Sequence, residues 1–241
     1  MTSVSQDLAG QIALVTGASR GIGEAIAYSL AIRGAHVVIT ARTAGGLEDL
    51  EDRIHNAGGS ATIAPLDLTD GDSIARLAAA VAERWNKLDM LVLNAAMLGT
   101  LTPVAAIDGK EFNRTLTLNL IAQQALIANF DPLLRRSDAG KLLALTSSVA
   151  SEPRAYWGAY AASKAALETL IISYGAEMRN ISTLRTAILN PGATRTAMRA
   201  RAYPGEDPAS IKNPEAVGEY VAARMIEGFD STARFTLPKV M

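Results

Sequence analysis

The fold class this sequence predicts is α/β: a doubly wound, Rossmann-type parallel sheet of about seven strands, with helices on both faces. Three observations predict it. Short aliphatic or β-branched runs alternate with segments of helical periodicity along all 241 residues. A glycine-rich turn follows the first apolar run directly. The residues able to do chemistry fall just after a strand or on the helix that follows one, which in such sheets is where ligands bind. No composition break or linker interrupts residues 1–241, so one domain is expected.

Gln11–Val15 is a compact apolar run ending in the glycine turn, and Gly21–Arg33 then repeats at helical spacing. His36–Thr40 reads as the second strand, and Gly45–Asn56 as a helix ended by Asn56-Ala57-Gly58-Gly59. Ala61–Leu66 is the third strand, and Asp70–Trp85 is an alanine-rich helix with Thr69 or Asp70 as N-cap. Asp89–Leu93 precedes the longest expected helix, Gly109–Arg136. Lys141–Thr146, helix Tyr156–Arg179, strand Thr183–Leu189 and helix Pro214–Glu227 follow, with Arg234–Val240 as a seventh strand. Strict alternation requires crossover connections, hence parallel pairing.

With 49% hydrophobic and 20% charged residues the chain can bury a large core. A net charge of -1 and the lack of a Lys/Arg run argue against a nucleic-acid partner. The absence of cysteine excludes disulfides, thiolate zinc sites and a Cys nucleophile, and fits a cytoplasmic setting. Met1–Gly10 has no signal-peptide pattern, and Arg33, Arg114 and Arg135 interrupt the most apolar stretches, so no membrane partner is expected. His36 and His55 have no partner at ligand spacing, and no metal is expected. Neither a Gly-x-Ser-x-Gly elbow nor a Walker lysine is present, which disfavours serine hydrolases and P-loop enzymes.

In Thr16-Gly17-Ala18-Ser19-Arg20-Gly21-Ile22-Gly23, Gly17 permits a tight turn and Gly21 lets backbone approach a phosphate. Gly23 lets the next helix pack on the sheet, and that helix aims its first N–H groups at the anion. Gly17, Ser19, Arg20, Gly21, Ile22 and Gly23 are therefore candidates for holding a dinucleotide pyrophosphate. A carboxylate about 20 residues on usually accepts from the adenosine ribose. Here strand two ends Ile39-Thr40-Ala41-Arg42, with no acid before Glu48. Arg42 and Arg20 suit a 2′-phosphate, which favours NADP(H) over NAD(H). Asp67 is placed for an adenine contact or for a turn role.

Tyr160 and Lys164 lie one turn apart on one helix face. A free phenol titrates near about 10. A cationic Lys164 beside it is expected to lower that value, so that Tyr160 exchanges a proton with a carbonyl oxygen as hydride reaches carbon. Ser147, after strand five, is placed to hold that oxygen, with Ser148 as the neighbouring competitor. Asn119 is an amide in an apolar helix, suited either to anchoring a water that relays protons to Lys164 or to a structural hydrogen bond.

These residues together resemble the short-chain dehydrogenase/reductase superfamily, from Gln11 to about Arg224. Thr16–Gly23 resembles its TGxxxGxG motif, and Asn94-Ala95-Ala96 resembles its NAG motif. Asn119, Ser147, Tyr160 and Lys164 match its catalytic tetrad, and Asn190-Pro191-Gly192 with Thr196 resembles its PGxxxT stretch. Asp131–Ala139 and Asn190–Asp207 look like a YciK-type bacterial subgroup. The resemblance implies a nicotinamide cofactor contacted by Asp67, Leu68, Asn94, Ala95, Tyr160, Lys164, Pro191, Gly192, Thr194 and Thr196. It also implies homodimers or homotetramers built on paired long helices. Ala96 departs from the motif glycine, and Thr232–Met241 lacks the ending of many fatty-acyl-type reductases.

Residues 193–213 show no clear periodicity and read as a substrate lid loop. Arg195, Arg199 and Arg201 suit an anionic substrate group, although Glu206 and Asp207 oppose this. Tyr156 and Trp157 suit a pocket wall or a contact with a neighbouring subunit. The function expected is an NADP(H)-dependent oxidoreductase that interconverts a small-molecule carbonyl and a secondary alcohol. A 3-ketoacyl-thioester reductase is one alternative, and a non-catalytic NADP-binding sensor or scaffold is another.

Overall fold

The computed structural model describes residues 5–237. Seven parallel strands form one sheet in the order β3-β2-β1-β4-β5-β6-β7. They are β1 (Ile12–Thr16), β2 (His36–Thr40), β3 (Ser60–Ile63), β4 (Met90–Leu93), β5 (Lys141–Leu145), β6 (Arg185–Asn190) and β7 (Ala233–Thr236). Register pairs Leu14 with Val38 on one side and with Leu91 on the other. The chain order reverses between β1 and β4, and this switch point opens a crevice at the carboxyl ends of those strands.

Alternation along each strand divides the core in two. Ala13, Val15, Met90, Val92, Leu143, Leu145, Ala187 and Leu189 face one layer. There they meet Ile26 and Leu30 of α1 (Gly21–Ala31), Leu50 and Ile54 of α2 (Gly45–Asn56), and Val217 and Val221 of α8 (Pro214–Glu227). Leu14, Leu91, Leu93, Leu142, Ala144 and Ile188 face the other. They meet Ile74 and Val81 of α3 (Gly71–Trp85), Leu126 and Phe130 of α5 (Ala122–Leu134), and Leu167 and Ile171 of α6 (Gly158–Met178). Strands buried on both faces read as unbroken apolar runs, as these do. Each fully buried Leu, Ile or Val contributes about 1.5–3 kcal/mol.

One local expectation is narrowed and two change. Asp70 is the N-cap of α3, accepting from the Asp72 N–H at 3.1 Å. The long helix expected over Gly109–Arg136 is α4 (Gly109–Leu116), a π-helical turn (Thr117–Ile121) and α5 in succession. Residues 193–213 are not an unstructured loop: they hold a short helix, α7 (Ala197–Ala202), and a 3₁₀ turn (Pro208–Ser210). Thr196 caps α7 by accepting from the Arg199 N–H at 3.1 Å, a local signal that the charged composition concealed. The expected extension of β7 to Val240 lies outside the described residues. Among the described residues no helix is long and apolar enough to cross a membrane.

Candidate active site

At the switch point the turn after β1 is braced by the loop after β4. The Asn94 carboxamide donates to the carbonyls of Thr16 at 2.8 Å and Gly17 at 3.2 Å. The Thr16 hydroxyl donates to the Val92 carbonyl at 3.1 Å and accepts from the N–H groups of Asn94 and Ala95 at 3.0 and 3.1 Å. Gly17 and Gly21 hold φ of +67° and +64°, where a side chain is strained. A Cβ on Gly23 would stand 2.3 Å from the Gly17 carbonyl oxygen, so this contact requires glycine.

Arg20 occupies the N-cap position of α1 and makes no side-chain cap hydrogen bond. The first amides of that helix are thus left for an anion. Ser19 and Ile22 are half-buried in the turn, while Arg20 and Arg42 are exposed beside it. The donor set fits a dinucleotide: backbone N–H groups for a pyrophosphate, with the exposed guanidinium groups of Arg20 at the α1 N-cap and Arg42 just past β2. Asp67 is also exposed; one of its carboxylate oxygens accepts from the N–H and hydroxyl of Thr69 at 2.9 and 2.8 Å. Those bonds, with the Arg42 charge a smaller contribution, hold its carboxyl below the usual range. Leu68 is buried in the core.

On the other side of the crevice, Gly192 has φ +67° and its N–H donates to the Asn190 carboxamide oxygen at 3.0 Å. The buried Lys212 ammonium donates to the Pro191 carbonyl at 2.9 Å. The Thr194 hydroxyl donates to the Gly192 carbonyl at 3.3 Å. The Thr196 side chain faces Gly21, 3.4 Å from where a Cβ there would sit. The two glycine-containing loops therefore flank the same gap. Lys212, which anchors the Pro191 turn from 21 residues away, carried no sequence signal.

Tyr160 and Lys164 are both buried, and the Lys164 Nζ lies 6.0 Å from the Tyr160 ring centre. That ammonium donates to the Leu145 carbonyl at 2.8 Å. The expectation of a depressed phenol is overturned here. Burial pushes Tyr160 up to about 12. Burial also lowers Lys164 to about 8, opposed by the Glu168 carboxylate one turn on. Glu168 accepts from the Thr146 hydroxyl at 2.6 Å and pairs with Arg234 of β7 at 2.6 Å. Neither partner was visible from spacing, since β7 is distant in the chain and adjacent only through the sheet.

Asn119 sits within the π-helical turn and is fully buried. Its carboxamide accepts from the Met97 N–H at 2.8 Å and donates to the Met97 carbonyl at 2.8 Å and the Ser163 hydroxyl at 3.0 Å. Ser163 in turn donates to the Tyr160 carbonyl at 2.8 Å. These bonds tie the β4 loop to the helix that carries Tyr160. Ser147 caps the 3₁₀ turn Ser148–Ala150, accepting weakly from the Val149 N–H at 3.5 Å. It is only half-buried, so its hydroxyl remains free to donate.

Of the three arginines expected to meet an anion, Arg199 is spent on a two-pronged pair with Glu206 at 2.6 and 2.5 Å. Arg201 donates to the Gly99 carbonyl at 3.1 Å. Arg195 is exposed.

A parallel sheet with its reversal at β1/β4, a braced glycine turn and a buried Tyr–Lys pair on α6 together define a dehydrogenase-type architecture. A family model described as short chain dehydrogenase matches residues 11–207, and the chain belongs to that family. It is similar to the Escherichia coli K12 oxidoreductase YciK, with 38% identity over 213 residues, covering 87% of this chain and 84% of the relative. A fatty acyl-CoA reductase of Acinetobacter baylyi is 34% identical over 81% of this chain and 66% of its own. Among solved structures, a short chain dehydrogenase from Pseudomonas syringae superposes with a TM-score of 0.92 at 35% identity, covering 97% of both chains. One from E. coli CFT073, complexed with NADPH, gives 0.90 at 35% identity, covering 96% of this chain and 98% of that one. The chain is a short chain dehydrogenase oxidoreductase of YciK-like type.

Proposed function

We propose that this protein is an NADP(H)-dependent oxidoreductase that interconverts a carbonyl and a secondary alcohol, with Tyr160 as the proton carrier. The observation that carries the reading is the burial of Tyr160 and Lys164 on one face of α6, beside the crevice framed by Gly17, Gly21 and Gly192. The NADPH complex of the E. coli CFT073 neighbour supports the choice of nucleotide, as do the exposed Arg20 and Arg42. The bound nicotinamide nucleotide supplies a hydride to the carbonyl carbon or takes one from the alcohol.

The protein's own residues do the rest. A phenol held up near 12 stays protonated through neutral pH, ready to donate to the carbonyl oxygen. As its proton leaves, the phenolate gains from the Lys164 charge in surroundings that exclude water, where that charge acts strongly. Ser147 shares the oxygen's growing negative charge through its free O–H. Asn119, through Ser163, keeps the Tyr160 turn of α6 in place. Gly17, Ser19, Gly21, Ile22 and Gly23 hold the pyrophosphate. Asp67, Leu68, Asn94, Ala95, Pro191, Gly192, Thr194 and Thr196 line the remaining cofactor channel.

The test is NADPH oxidation across a panel of ketones and aldehydes. Turnover that is faster with NADPH than with NADH supports the reading. Tight NADPH binding with no turnover by any member contradicts it and favours a sensor or scaffold. The A. baylyi relative's name, a fatty acyl-CoA reductase, gives weight to a second reading, a 3-ketoacyl-thioester reductase. Thioester ketones turned over far faster than simple ketones would single it out.

A further inference from the structure

We infer that Lys212 is a positioning residue for the nicotinamide half of the nucleotide: it ties the Pro191–Gly192 turn to α8 and so sets how far that turn stands from the glycine turn after β1. The inference rests on the reading that the crevice binds NADP(H). Arg42 lies just past β2 and Pro191 just past β6, on opposite sides of the β1/β4 reversal. β6 pairs with β5, whose last residue, Leu145, holds the Lys164 ammonium. The Pro191 turn therefore stands on the side of Lys164. That is where the nicotinamide half belongs when the 2′-phosphate lies toward Arg42 and the pyrophosphate on the N-terminus of α1.

Lys212 is 7% exposed, and its ammonium donates to the Pro191 carbonyl at 2.9 Å. A Cβ on Gly192 would stand 3.0 Å from that Nζ, so the ammonium lies directly against the turn. The Lys212 main chain holds the same stretch. Its carbonyl accepts from the Arg195 N–H at 2.8 Å, and Thr194 pairs with Lys212 in an isolated bridge. The next residue, Asn213, caps α8 by accepting from the Ala216 N–H at 3.1 Å. In turn α8 is pressed on α1: a Cβ on Gly218 would stand 2.4 Å from the Ala25 carbonyl oxygen. One packed path, α1 to α8 to Lys212, thus joins the two turns that frame the crevice. Taking an ammonium out of water is costly, and an apolar side chain would fill this place at less cost. What the charged donor adds is a turn already ordered before the nucleotide arrives, which spares binding that ordering.

The experiment is calorimetric titration of the unaltered protein, Lys212→Met and Lys212→Gln with two ligands. One is NADPH; the other is adenosine 2′,5′-bisphosphate, which carries the adenine half alone. Lys212→Met is expected to weaken NADPH by about tenfold, the low end of a charge-assisted hydrogen bond's worth, and to leave the bisphosphate within about twofold. A general loss of structure would weaken both. Lys212→Gln, one atom shorter and uncharged, carries the same expectation of a selective loss and decides the matter if the methionine protein does not fold. Hydride transfer to a ketone in a single turnover at saturating NADPH is expected to slow by about tenfold or more. Equal losses for the two ligands, an unchanged NADPH affinity or an unchanged transfer rate overturns the inference, as does failure of the unaltered protein to bind NADPH. Should the unaltered protein bind NADPH and turn over no ketone, the carbonyl-reduction reading falls while the two affinities still decide the place of Lys212.

Discussion

The Lys164 ammonium lies 6.0 Å from the centre of the Tyr160 ring and gives its hydrogen bond to the Leu145 carbonyl at 2.8 Å. The lysine is thus fixed to the end of β5 while its field reaches the phenol. Its charge, rather than a contact with the phenol oxygen, is what it offers the site.

With burial lowering Lys164 to about 8, the ammonium is charged below that pH and lost above it. Carbonyl reduction is expected to decline as pH rises through about 8. Glu168→Gln removes the carboxylate that holds this value up, so the alkaline limb should move to lower pH. A pH profile of kcat/KM for both proteins checks this; an unmoved limb would detach Glu168 from the site.

A lysine whose folded value lies below its ordinary value of 10.5 costs stability while both states are protonated. The unfolded chain holds the extra proton between about 8 and 10.5, so the penalty fades as pH rises through that window. Lys164→Met should therefore stabilise the protein at pH 7 by about 2 kcal/mol, the relief of the shift less one hydrogen bond. The gain should shrink toward pH 10. Urea unfolding at both pH values measures it.

Gly23→Ala would press a methyl group against the Gly17 carbonyl oxygen and the Asn94 carboxamide, at 2.3 and 2.4 Å. Backbone cannot yield as a flexible side chain does, so the brace between β1 and β4 should break. The expected outcome is loss of NADPH binding by about 100-fold or more, with destabilisation of about 1–3 kcal/mol. Fluorescence titration of NADPH and thermal unfolding report the two effects separately.

Arg42 stands exposed near Asp67 at the β2 end of the crevice, with no carboxylate in the ribose position. Arg42→Ala should weaken NADPH binding by about 10- to 100-fold, the worth of a charge-assisted hydrogen bond of 1.5–3 kcal/mol. NADH binding should scarcely change. Equal losses for both nucleotides would place the arginine elsewhere.

The central strands were legible in the sequence because β1, β4 and β5 are buried on both faces, which leaves plain apolar runs such as Ala13–Val15 and Leu142–Leu145. The Gly17 turn and the Tyr160–Lys164 spacing were legible for the same local reason. What escaped depends on contacts across the fold. Glu168 and Arg234 meet only because α6 packs beside β7, and Lys212 reaches Pro191 only through the return of the 193–213 segment. The phenol's raised value follows from burial, which spacing cannot report. Glu206, which the sequence set against an anion site, is the partner of Arg199.

The most direct measurement is the single-turnover rate of NADPH oxidation by a turned-over ketone in Tyr160→Phe, with NADPH affinity measured alongside. Loss of the proton donor should lower that rate by about 100- to 10,000-fold while nucleotide affinity stays within about twofold. Retention of most of the rate by the phenylalanine protein would contradict the assignment of Tyr160 as the proton carrier.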